Sequence, residues 1–176
     1  MSGYGEFGCW ITAFALSAVR IGAALLMCPA FGEGMISGLA RRLVILSFAF
    51  LVVPVVQRTM PAAGVSWALL ALLAVKEALI GFLIGFFSAI PFWVAENVGN
   101  LIDNQRGATM GEVYSPLSGA QVSTTGLFFT QVVTTIFFVS GAVLLLLGAL
   151  YASYTLWPVF GDWVSFHPHA PERMLG

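Results

Sequence analysis

The stretch Ala95–Gln131, AENVGNLIDNQRGATMGEVYSPLSGAQVSTTGLFFTQ, is polar, punctuated by glycine, and set between two strongly apolar runs. It carries Glu96, Asp103, Arg106 and Glu112 in a chain with only seven basic and eight acidic side chains. Charge, amide and turn residues gathered beside membrane-spanning segments mark the place where function concentrates. What lies on either side decides the fold class. The chain is 59% hydrophobic and 9% charged, with a mean hydropathy of +0.94. An average soluble domain is about 25% charged. One core of 176 residues does not hide that much apolar surface, so the composition predicts an all-α, multi-pass membrane protein with the bilayer as its solvent. A net charge of −1 argues against nucleic acid and against a polybasic surface module.

Working outward, four apolar segments are expected: 9–31, 43–56, 65–95 and 127–150, with 96–126 as the polar loop and 1–176 as a single membrane domain. The N-terminal MSGYGEFG has no Lys or Arg, and the apolar run behind it exceeds a signal-peptide core. The first segment is therefore read as a retained membrane helix. It carries Arg20 near its middle. The second, Leu43–Val56, contains Pro54 and is marginal as a full span. The loop Gly32–Arg42 before it ends on Arg41 and Arg42, which place that loop inside, although Arg58 on the opposite side opposes the assignment.

The third segment is too long for one simple crossing, since 31 helical residues reach about 46 Å. Lys76 and Glu77 divide it. Either they sit at the membrane–water interface or they are buried as a polar contact to another subunit. Adjacent helical residues point about 100° apart, so the two are not expected to pair with each other. Gly81, Gly85 and Ala89 form a small-residue stripe that admits a second helix at close range. Pro91 is a kink candidate. Beyond it, Val94, Val98, Leu101 and Ile102 fall on one helical face and Glu96, Asn97, Asn100, Asp103 and Asn104 on the other, which predicts an amphipathic extension. Gly107, Gly111, Ser115-Pro116 and Ser118-Gly119 read as stops and turns, and Ser123, Thr124 or Thr125 as the cap of the next helix.

The fourth segment is the cleanest span, with Gln131, Thr134, Thr135 and Ser140 as a polar stripe. Tyr151, Tyr154, Trp157 and Trp163 follow it as an interfacial aromatic belt. Cys9 and Cys28 would lie about 28 Å apart on one helix and cannot bridge there. His167 and His169 lack further ligands, so no metal site, no cofactor and no enzyme active site is expected. A small-solute transporter or channel subunit is the alternative class, weakened by the absence of a second, repeated half.

The residues Lys76-Glu77, Gly81, Gly85, Pro91-Phe92-Trp93, Asp103-Asn104-Gln105-Arg106-Gly107-Ala108, Pro116-Leu117-Ser118-Gly119, Ser123, Gly126 and Gln131 resemble the T subunit of type III secretion export apparatuses. That family (SctT, YscT or SpaR) is similar to flagellar FliR. The resemblance implies a multi-pass subunit of the bacterial inner (cytoplasmic) membrane export gate. It further implies assembly with R and S subunits and other export-apparatus membrane proteins into a helical cone that passes unfolded secreted proteins. In such a cone, hairpins of apolar helices sit above the bilayer plane. The resemblance also implies a channel plug within Arg106–Val122 on a stem Asp103–Gly107. Carried over residue by residue, the gate loop comprises Asp103, Asn104, Gln105, Arg106, Gly107, Met110, Pro116, Leu117 and Gly119. Two departures accompany it. Ser115 stands where an acidic residue or Asn often precedes the Pro, and the chain stops at Gly176 where family members continue, as a C-terminally truncated form would.

Overall fold

The structure, a computed structural model, describes residues 3–32, 36–60, 66–106, 113–114 and 121–161. Helix α1 is Gly3–Met27, followed by a 3₁₀ turn at Pro29–Phe31; α2 is Gly38–Gln57 and α3 is Trp67–Gln105. A two-residue antiparallel ladder follows, β1 Val113–Tyr114 against β2 Gln121–Val122, then α4 Thr124–Val139 and α5 Ala142–Leu156. Apart from that ladder, the regular elements among the described residues are helices, as the composition predicts. Three helices (Phe7–Met27 within α1, all of α2, all of α3) are long and apolar enough to cross a membrane, and α4 with α5 qualifies as a bent fourth.

Serine hydroxyls start three of the helices. Ser37, Ser66 and Ser123 accept hydrogen bonds from the amides of Ala40, Leu69 and Gly126 and cap α2, α3 and α4. Helix α2 begins at Gly38, so Arg41 and Arg42 belong to its first turns and not to the preceding loop. At 20 residues it runs about 30 Å, which corrects the short second segment. Helix α3 continues unbroken for 39 residues, through both Lys76-Glu77 and Pro91.

The fourth segment is not one span. Gly141 adopts φ +76°, a left-handed conformation that glycine takes without steric cost. The chain turns by 69° there, between α4 and α5. Nothing in the apolar run 127–150 announces this except one glycine after one serine, a weak signal where apolar residues continue on both sides.

The core is a seam between α1 and α3. Buried positions of α1 recur at helical spacing (Ala13, Ser17, Arg20, Ala24), and Cys28 just beyond its end is buried as well. Those of α3 recur every four residues (Leu73, Glu77, Gly81, Gly85, Ala89). Helix α2 lies on the other side of α1, and α4 runs along the far half of α3. Helix α5 returns over the α1–α3 seam, with Leu146, Leu150 and Tyr154 buried. The opposite face of α3 stays uncovered: Trp67 is 87% exposed, and Leu72, Val75, Leu83 and Phe87 each more than half. In a membrane such a face meets lipid or another subunit at no hydrophobic cost.

Candidate functional site: a buried charge cluster and a clamped loop base

Arg20, Lys76 and Glu77 come together inside the fold. The guanidinium of Arg20 and the carboxylate of Glu77 are both fully buried. They meet as a two-pronged pair, Nε donating to Oε2 at 2.6 Å and Nη2 to Oε1 at 2.8 Å. Planar fork-to-fork geometry of this kind is what lets an ion pair survive desolvation. Arg20 also donates to the Ser153 hydroxyl at 3.0 Å and to the Trp157 carbonyl at 2.9 Å. Its guanidinium lies 4.0 Å from the ring centre of Tyr154, within cation–π range. The Tyr154 hydroxyl in turn donates to the Ser17 carbonyl at 3.2 Å. The Lys76 ammonium donates to the carbonyls of Pro158, Val159 and Gly161 at 2.7, 3.0 and 3.3 Å.

Lys76 and Glu77 thus find polar partners within the chain itself. Both are buried within the chain, against α1 and the end of α5. Their side chains point to different partners, as their angular separation requires. Tyr154 likewise leaves the aromatic belt and is 4% exposed under Arg20. Ser153 and the 157–161 carbonyls were not legible in advance. Arg20 in mid-span was a signal that partners existed, without saying where.

The small-residue stripe lies along α1. A Cβ on Gly81 would collide with the backbone carbonyl of Arg20. One on Gly85 would meet Ala24 Cα and Met27 Cβ, both at 2.9 Å. Ala89, fully buried, continues the contact surface. Backbones this close permit the short reach from Arg20 to Glu77, one helical turn away from Gly81.

The second polar centre joins the end of α3 to the start of α4, at the base of the loop. The Asp103 carboxylate accepts from the Thr125 amide at 2.9 Å and from the Thr125 hydroxyl at 2.6 Å. It also pairs with Arg106, whose guanidinium donates to the Thr125 hydroxyl as well. A carboxylate on the orphan amides of a helix start complements the positive end of the helix dipole. Beside it, Ser123 donates to Asn100 Oδ1 at 2.6 Å. Gly99 and Gly126 touch backbone to backbone, leaving no room for a Cβ on Gly99.

This contact takes Asp103 out of the solvated face expected of the amphipathic extension. Asp103 is 8% exposed, whereas Leu101, Val94 and Val98 are 57%, 56% and 44% exposed. Asp103 turns inward to cap α4, while Asn97 and Asn104 of the same polar set stay exposed, and the apolar face continues the lipid-type surface of α3. Asn104 and Gln105 are exposed at the end of α3. Gly107, Met110, Pro116, Leu117 and Gly119 lie outside the described residues, as do Trp163, His167 and His169. Among the described residues, no group of three or more His, Cys, Asp or Glu side chains is placed to hold a metal.

Residues 11–174 match the family model described as bacterial export proteins, family 1. Over 163 residues, 92% of the chain, the sequence is 40% identical to the Yop proteins translocation protein T of Yersinia pestis and covers 60% of that protein. It is 36% identical over 152 residues to the secretion system apparatus protein SsaT of Salmonella typhimurium, covering 85% of the chain and 58% of the relative. The flagellar biosynthetic protein FliR of Bacillus subtilis is 29% identical over 159 residues, 85% of the chain and 60% of the relative. The chain therefore spans about three-fifths of the length of these relatives. On that match over most of its length, the chain belongs to the bacterial export proteins, family 1, the family that holds the type III secretion T subunits and flagellar FliR.

Proposed function

We propose that the chain is a structural, non-enzymatic subunit of the inner-membrane export gate of a type III secretion system, helping to form and to close a protein-conducting channel. Its partners on this reading are the R and S subunits and other export-apparatus membrane proteins, and its cargo is unfolded secreted protein. The names of the relatives support the secretion role: one is a translocation protein, one a secretion-system apparatus protein. The uncovered apolar face of α3 supports a place among other membrane helices.

The observation that carries the closing role is the clamped base of the polar loop. Asp103 and Thr125 are 22 residues apart in sequence and hydrogen-bonded, with Ser123 on Asn100 beside them. The chain leaves α3 and returns to it at the same point. A segment mounted on such a base is removable without loosening the helices, as a plug has to be. On this reading Asp103, Asn104, Gln105, Arg106 and Gly107 form its stem, and the plug lies within Arg106–Val122 with Met110, Pro116, Leu117 and Gly119 in it. The test is deletion of 107–120 in cells carrying the assembled complex. The expected outcome is normal assembly with raised conductance to small ions. Unchanged conductance in a normally assembled deletion complex would make the segment a plain connector.

A further inference from the structure

Four backbone carbonyls at the end of α5 are held by two cations from two other helices. Arg20 of α1 binds the Trp157 carbonyl, and Lys76 of α3 binds those of Pro158, Val159 and Gly161. Helix α5 ends at Leu156, so these carbonyls belong to the turn that follows it, and buried carbonyls outside a helix need donors from elsewhere. Here the cations are themselves buried, Arg20 at 0% and Lys76 at 3% exposure, where a charge–carbonyl hydrogen bond is strong. The rest of α5 is attached differently. It meets the other helices through buried Leu146 and Leu150, through Ser153 on Arg20 and through the Tyr154 hydroxyl on the Ser17 carbonyl, and the turn at Gly141 separates it from α4.

From this we propose a conformational device: a charge latch in which Arg20 and Lys76 hold the 157–161 turn, so that α5 detaches as a unit while the α1–α3 seam stays closed. Two features separate latch from seam. The close contact of Gly81 and Gly85 with α1 involves no residue of α5, whereas Arg20 joins the two, binding Glu77 on one side and Ser153 and the Trp157 carbonyl on the other. The turn is closed over by Val159, 1% exposed, with the Lys76 ammonium on its own carbonyl. Withdrawing that ammonium leaves three carbonyls without their charged donor and shifts the local balance toward release. The latch does not depend on the gate assignment, since it concerns only contacts within this chain.

The native cysteines supply a test. Cys9 is exposed and Cys28 is buried. In a Cys9→Ser background carrying Val159→Cys, the full chain in detergent is treated with a maleimide and the two thiols are followed by peptide mapping. Position 159 and Cys28 are both expected to be protected. Adding Lys76→Met is expected to speed labelling at position 159 by about tenfold or more, as local opening does, with Cys28 still protected. Ser153→Ala, which removes one Arg20 contact on α5, is expected to act in the same direction but less. Lys76→Arg, which keeps a cationic donor, is expected to restore much of the protection. Two results would overturn the latch: position 159 staying protected in both Lys76→Met and Ser153→Ala, or Cys28 becoming reactive together with it.

Discussion

Arg20 and Glu77, 57 residues apart, meet through two parallel hydrogen bonds of 2.6 and 2.8 Å with neither side chain exposed. The pair ties the middle of α1 to α3 at the level where Gly81 brings the two backbones together. Each partner exists to neutralise the other. Glu77→Ala would leave a buried guanidinium without its counter-charge, and losing one partner of such a pair costs about 3–5 kcal/mol. Denaturant unfolding of the purified protein in detergent is expected to show a loss of that order for Glu77→Ala and for Arg20→Ala. The double variant is expected to lose clearly less than the two added together, and additive losses would show that the pair is not coupled.

The glycine seam makes a sharper demand. Gly81→Ala places a methyl group against the Arg20 carbonyl, and Gly85→Leu drives a side chain into Ala24 and Met27. Overpacking against backbone costs about 1–3 kcal/mol or more, so both are expected to lower the thermal midpoint, Gly85→Leu the more. Gly148→Ala in α5 is the matched control, because nothing stands within 4 Å of its added Cβ. There the usual helix preference for Ala over Gly, about 1 kcal/mol, is expected to make the variant neutral or slightly stabilising.

At the loop base, Ser123→Ala removes the cap of α4 together with the hydrogen bond to Asn100. Loss of an N-cap costs about 1 kcal/mol. Asp103→Ala removes the acceptor for the Thr125 amide. Hydrogen exchange at Thr125 is expected to accelerate in Asp103→Ala while amides in mid-α4 are unchanged. Equal acceleration along all of α4 would mean that the carboxylate holds the helix as a whole and not its first turn.

Arg106 bridges Asp103 and Thr125 at the point where the chain leaves α3. Its side chain is 62% exposed, so its loss is expected to change stability little, by less than about 1 kcal/mol. If the loop closes a channel, Arg106→Ala raises conductance of the assembled complex, but less than deletion of 107–120 does, because it frees the anchor and leaves the backbone in place. An effect as large as the deletion would assign closure to the guanidinium itself.

Helix class and the apolar, membrane-capable character of the long segments were legible in the sequence, because both depend on composition and on residues close to one another along the chain. Composition alone dictated that lipid, and not a single core, must cover most of the apolar surface. What the sequence left open were the partners of its charges. Lys76 and Glu77 are as consistent with an interface as with a core until α1 and α5 are placed. The inward turn of Asp103 depends on Thr125 arriving beside it, and the bend at Gly141 on α5 having a seam to cross. Those are long-range contacts, between residues 22 to 137 positions apart. No local periodicity encodes them, because a buried charge is stabilised only by the partner that the tertiary fold delivers.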